Sequence, residues 1–109
     1  MTAFPLAELL AARARLGRPY FEFLRAPALS AGLYVLPANA ADPQHPHSED
    51  EVYCVLSGRG RLSIGDADHE MEPGAVAYVP AGVPHRFHTI TEELRVLVVF
   101  APAESGPAA

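Results

Sequence analysis

From Tyr20 onward the chain is a succession of short apolar runs, each closed by Pro, Gly, Asn or Asp before it can extend. That punctuation excludes long helices over most of the length, because Pro removes a helical donor and Gly costs backbone entropy. The runs 20–25, 31–36, 51–56, 59–64, 75–79, 85–89 and 94–100 read as strands. Turn chemistry fills the gaps at Ala26-Pro27, 37–43, Ser57-Gly58, 65–68, Pro73-Gly74 and 80–84. Short strands at this spacing predict an all-β chain, an antiparallel sandwich or barrel.

The N-terminal segment is the exception. Pro5 suits a first helical position, Leu6, Leu9 and Leu10 recur on one face, and Gly17 with Pro19 stops the run. Arg13 and Arg15 fall near its end, where positive charge meets the helix dipole favourably. The expected organisation is a short helix over 1–18 packed on the outside of the sheet, a barrel over 19–101, and a flexible tail over 102–109, where no periodicity remains.

At 109 residues the chain supports one domain with one modest core. No apolar run approaches the ~20 residues of a membrane span, and the N-terminus does not read as a signal peptide. A lone Cys54 cannot form an internal disulfide, so a reducing, cytoplasmic setting is expected. The net charge of −5 disfavours a nucleic-acid partner. Every basic residue is Arg, which removes Schiff-base chemistry and a lysine general base. The run 94–100 is apolar on both alternate faces, so one face needs cover beyond the barrel interior. The helix can hide part of it and a second subunit the rest, which makes a homodimer the expectation.

The chemistry concentrates in DPQHPHSEDEVYCVLSGRG, residues 42–60. His45 and His47 are two apart and share a face of an extended strand; Glu51, four further on, keeps that parity. Two imidazoles and a carboxylate on one side are ligand chemistry for a divalent transition metal. Glu49, Asp50 and Glu51 are adjacent like charges, and burying even one calls for a compensating cation.

His45-x-His47-x3-Glu51-x6-Gly58 resembles the first motif of the cupin family. After fifteen intervening residues, Gly74-x5-Pro80-x-Gly82-x2-His85 resembles the second. The short gap between them resembles that of small bacterial single-domain cupins. The resemblance implies a cupin double-stranded β-helix, a jelly-roll barrel, with His45, His47, Glu51 and His85 holding one metal ion. Fe2+ is the leading expectation, with Mn2+, Ni2+, Co2+, Zn2+ or Cu2+ as alternatives. Asn39 stands where the first motif usually opens on Gly, and it tolerates the same left-handed backbone. Thr89 stands where the second motif usually closes on Asn, a structural position.

Around the ligands, Gln44 and Tyr53 are candidates for orienting a substrate or assisting catalysis; each could equally be a loop polar residue or core aromatic. Parity assigns Val55, Phe87, Val96 and Val98 to an apolar pocket wall. Cys54 and His88 have the opposite parity and should point away from the metal, and His69 reads as a surface residue. With no Lys, and Arg placed at turns or on the opposite parity, a phosphosugar substrate is disfavoured. The resemblance then implies a metal-dependent oxygenase, dioxygenase-like, acting on a small, largely apolar oxygen-bearing compound. The alternatives are a non-catalytic small-molecule-binding or sensor protein, and a metal-dependent lyase or isomerase.

Overall fold

Burial alternates along 51–55 and again along 94–100, so these stretches lie at the centre of a sheet with one side chain in and the next out. The computed structural model describes residues 2–105. Its elements are α1 (Leu6–Leu16), β1 (Tyr20–Arg25), β2 (Ser30–Leu36), β3 (Asp50–Ile64), β4 (Ala67–Met71), β5 (Val76–Val79) and β6 (His85–Ala101). All pairings are antiparallel, in the order β1-β2-β6-β3-β4. On its free edge β3 takes β5 opposite residues 51–54 and β4 opposite 60–64. The inner face is filled by Tyr53, Leu62, Phe87, Ile90, Leu94 and Val96, all essentially inaccessible.

Three expectations change here. The runs 51–56 and 59–64 are one strand, β3, and 85–89 and 94–100 are one strand, β6. Ser57-Gly58 is therefore not a turn. It sits among register shifts between Val55 and Arg61, a bulged bend that lets β3 curve with β6. Gly58 has φ +92, and a Cβ there would lie 2.0 Å from the Glu93 carbonyl oxygen. Only glycine meets both conditions. The third change is β4, whose first four residues are exposed and which carries no apolar alternation. Its hairpin turn is confined to Gly65 and Asp66, since Ile64 already faces Ala67.

The N-terminal helix forms where expected, with Pro5 as its N-cap rather than its first residue. Gly17 ends it in the left-handed conformation, its N–H donating to the Arg13 carbonyl. The helix packs on β1 and β2 but buries none of its own residues fully. On the outer face of the sheet, Ala31 and Leu33 of β2 are covered. Further across that face, Val52 pairs with Tyr78 and Val99, and Cys54 with Val76 and Leu97. There Val76 is 68% and Tyr78 56% exposed, so the apolar rows continue past the helix onto an open surface. No helix of the described residues is long and apolar enough to cross a membrane.

The tail expectation needs correction over 102–105. Glu104 N–H donates to Ser30 Oγ, and its carbonyl accepts from Arg25 Nη2. Ser105 bonds to Glu49. Long-range hydrogen bonds hold this stretch in place of any periodic packing; residues 106–109 lie outside the described residues.

Candidate metal centre

The segment 37–49 crosses from β2 to β3 without regular structure, and backbone contacts set its path. Asn39 takes the left-handed conformation, φ +66, and its N–H donates to Ile90 O. At the other end the turn preceding His85 docks on the same segment. Gly82 N–H donates to His47 O at 2.7 Å, and Ala81 N–H donates to Asp50 Oδ1 at 2.9 Å. The two motifs are thus tied together through the backbone. Thr89, φ +49, adopts a conformation uncommon for a β-branched residue, and its hydroxyl lies 2.9 Å from His88 Nδ1.

Among the described residues, His47, Glu51 and His85 place one ligand atom each within 4.8 Å of one another. Glu51 lies on β3 between Val79 and Phe100 and is 1% exposed. Its Oε1 is 3.0 Å from His85 Nε2 and 4.0 Å from His47 Nε2. His85 Nδ1 lies 2.9 Å from the Val83 carbonyl. A carbonyl only accepts, so Nδ1 carries a proton, and in the neutral ring the Nε2 lone pair faces Glu51. Despite their closeness, Glu51 Oε1 and His85 Nε2 lack hydrogen-bond geometry and have no other partner. Buried polar atoms are rarely left so. An inward-facing carboxylate oxygen and imidazole nitrogen, with a second imidazole beside them, fit the donor set of a divalent transition metal. Burial works against the charged His85 ring, but Glu51, the Val83 carbonyl and Asp42 outweigh it and raise its proton affinity.

His45 does not join this group. It is exposed at the mouth of the cavity, because β3 begins only at Asp50 and strand alternation does not govern 45–47. Gln44 stands nearer, with Oε1 3.4 Å from His47 Nε2. Gln44 is gripped at both ends: its amide nitrogen donates to Asp42 Oδ2 at 2.7 Å, and its Oε1 accepts from Tyr53 Oη at 2.8 Å. Asp42 also accepts from the Tyr34 hydroxyl and the Phe87 N–H. Burial, with the Glu51 charge second, pushes the Tyr53 hydroxyl above its usual range and keeps it a donor. The side chain of Tyr53 therefore reaches the site through Gln44 and does not line the cavity.

The cavity lined by His47 and Glu51 has a volume of about 450 Å³; His85 is not among its lining residues. Tyr20, Tyr34, Val98 and Phe100 form most of its apolar wall, with Gln44 and Glu104 as polar positions. Of the expected wall residues only Val98 lines it. Val55, Phe87 and Val96 face inward as parity requires, but lie deeper, in the closed core. Tyr20 enters the cavity because residue 32 is Gly; a Cβ there would meet its ring at 2.1 Å. Of the acidic triplet, only Glu51 serves the site. Asp50 bonds the Ala81 N–H, and Glu49 is held by Ser48 and Ser105. Burial disfavours the Glu49 charge, but those hydrogen bonds prevail and lower its pKa. Burial first, then Glu51 and Glu49, pushes the Glu104 carboxyl up to about 7. His88 pairs with Asp68 away from the centre, His69 is exposed, and Cys54 is half-buried on the outer face.

The family model described as "Cupin domain" matches residues 32–100, most of the chain. This protein is a cupin. Over 105 residues the cupin is 52% identical to an uncharacterised protein of Streptomyces coelicolor, covering 96% of this chain and all of that one. It is 41% identical over 61 residues to acireductone dioxygenase of Geobacillus kaustophilus, half of this chain and 33% of that protein. Among solved structures it is similar to TT1209 from Thermus thermophilus, with a TM-score of 0.77 and 26% identity over 94% of this chain and 99% of that one.

The geometry of this cupin separates the two neighbouring histidines. In Co2+ titrations, Glu51→Gln or His85→Ala is expected to weaken binding by more than about 100-fold, since each removes one of the three clustered donors. His45→Ala should stay within about threefold of wild type. A His45→Ala loss as large as that of His85→Ala would contradict the three-ligand arrangement.

Proposed function

We propose that this cupin is a metal-dependent oxygenase of the dioxygenase type, acting on a small, largely apolar compound that carries oxygen donors. The observation that carries the reading is the unpartnered pair Glu51 Oε1 and His85 Nε2 beside His47, with Glu51 and His47 lining an apolar cavity. His47, Glu51 and His85 would hold one divalent ion, iron(II) by preference. Bound there, iron(II) supplies a Lewis acid and a redox partner for O2.

The chain's own contribution is binding and orientation. Tyr20, Tyr34, Val98 and Phe100 exclude water and take up the apolar body of the substrate. Gln44 presents its carbonyl oxygen toward the centre, because its amide nitrogen is already committed to Asp42. It therefore accepts from a substrate hydroxyl and does not donate. Arg18 is the one cationic side chain at the rim among the described residues, too few for a phosphate clamp. The similarity to an acireductone dioxygenase supports the oxidative reading. Protein loaded with Fe2+ is expected to consume O2 with small enediols or 1,2-diketones well above the rate of free Fe2+. Glu51→Gln should remove that excess. Equal uptake by wild type and variant across such a panel would sink the proposal.

The open outer face of β3, β5 and β6 we assign to a second copy of the chain. Apolar rows continuous with a covered region are the surface that a two-fold interface buries. Sedimentation at micromolar concentration should give twice 11.7 kDa, and Val76→Asp should give the single-chain mass. A single-chain mass for wild type would contradict this.

A further inference from the structure

The polar groups that line the cavity are mostly acceptors. Beside the imidazoles of His45 and His47 they are Gln44, Glu51, Glu104 and a single arginine, Arg18, which is exposed at the rim. Gln44 offers its carbonyl oxygen, since its amide nitrogen is committed to Asp42. Glu51 clusters with His47 and His85, and an ion held by those three groups neutralises it. Glu104 is then the one carboxylate on the wall, among the described residues, whose charge is not answered.

Glu104 is anchored by its backbone, and its side chain is left unused. Its N–H donates to Ser30 Oγ at 2.9 Å, and its carbonyl accepts from Arg25 Nη2 at 2.7 Å. The next residue, Ser105, donates from both N and Oγ to Glu49 Oε2. These anchors deliver the carboxylate to the cavity, with the side chain 17% exposed. Arg25 spends its guanidinium on Glu22 and on the Glu104 carbonyl, not on the carboxylate. The His47 ring stands 3.4 Å away but makes no hydrogen bond to it. Burial, then the charges of Glu51, Glu49 and Glu22, favour the protonated acid, as expected of a carboxyl short of a cation.

The surrounding wall is aromatic. Tyr20 stands nearly perpendicular to Tyr34 and to Phe100, with ring centroids 6.2 and 6.3 Å apart and interplanar angles of 73° and 85°. Ring faces carry negative potential and attract ammonium groups, more strongly where water is excluded. A carboxylate set among aromatic rings in an apolar cavity suits an organic cation. An anionic ligand would meet acceptors along the wall and one exposed arginine at the rim.

We propose that the compound this cavity takes carries an ammonium group, held by the Glu104 carboxylate among Tyr20, Tyr34 and Phe100, while its oxygen donors face His47 and Glu51. This narrows the substrate class of the oxygenase reading and rests on that reading for the oxygen donors; the ammonium site stands on the cavity wall alone. It also gives a role to the 102–105 stretch, whose side chains contribute nothing to the core.

Three probes of matched apolar body, 2-phenylethylamine, 2-phenylethanol and phenylacetate, separate charge from shape. Their affinities are measured by calorimetric titration of full-length protein, metal-free and with one equivalent of Co2+. The amine is expected to bind about 10-fold more tightly than the alcohol in both forms, and in metal-free protein the acid should bind weakest. Glu104→Gln, close in shape and without the charge, should bring amine and alcohol within about threefold, with the same melting temperature as wild type. Arg18→Ala should leave the amine preference in place. An amine preference that persists in Glu104→Gln, or equal binding of amine and alcohol by wild type, would overturn the proposal. So would a preference for the acid that Arg18→Ala removes, which would make the rim a carboxylate site. Failure of wild type to bind Co2+ would overturn the metal reading instead, and the amine comparison in metal-free protein still decides the part played by Glu104.

Discussion

A buried carboxylate on an interior strand of a sheet, with one oxygen lacking a hydrogen-bond donor, is costly to fold. Glu51 occupies that position. An isolated buried charge costs several kcal/mol even after relaxation, so its surroundings must answer it. The His85 ring stands 3.0 Å away, but out of line for a hydrogen bond. The answer that suits this geometry is a cation between them, with His47 as the third donor. Much else in the structure follows from keeping these three side chains in register. The β3–β6 pairing carries Glu51 near one end and His85 at the other, and the 80–84 turn is pinned to His47 and Asp50 by two backbone N–H groups.

Beside that centre lies a polar chain in which every member has a partner. Tyr34 donates to Asp42, Gln44 to Asp42, and Tyr53 to Gln44, while Asp42 also caps the Phe87 N–H. Satisfied networks of this kind rigidify a site, whereas a single deletion leaves buried groups unpaired. The consequence is directional: one amide oxygen is presented next to His47, and among the described residues it accepts from Tyr53 Oη and His47 Nε2.

Much of this was legible in the sequence, and the exceptions have physical causes. Period-two alternation identified the inner faces of β3 and β6 because both strands are half-buried. The motif spacing picked out His45, His47, Glu51 and His85 together, and alternation grouped the same residues, but alternation holds only inside a strand and 45–47 precede β3, so His45 stands apart from the other three. Parity likewise told which face Val55, Phe87 and Val96 occupy without telling how deep they lie. Gly58 reads as a turn because bulge and turn make the same conformational demand, and only the pairing with β6 distinguishes them. Strand β4 has no apolar alternation to detect, since it is an exposed edge. Glu104 left no local signal at all: its place is set by Arg25, Ser30 and Glu49, each more than fifty residues away in sequence.

The central claim is that two imidazoles and one carboxylate, not three imidazoles, surround a single divalent ion. X-ray absorption at the cobalt edge, on protein carrying one equivalent of Co2+, counts imidazole ligands directly through their outer-shell scattering. The account predicts two imidazoles with the remaining donors oxygen, and no change in that count for His45→Ala. Three imidazoles in wild type falling to two in His45→Ala, or a spectrum indistinguishable from aqueous Co2+, would contradict it.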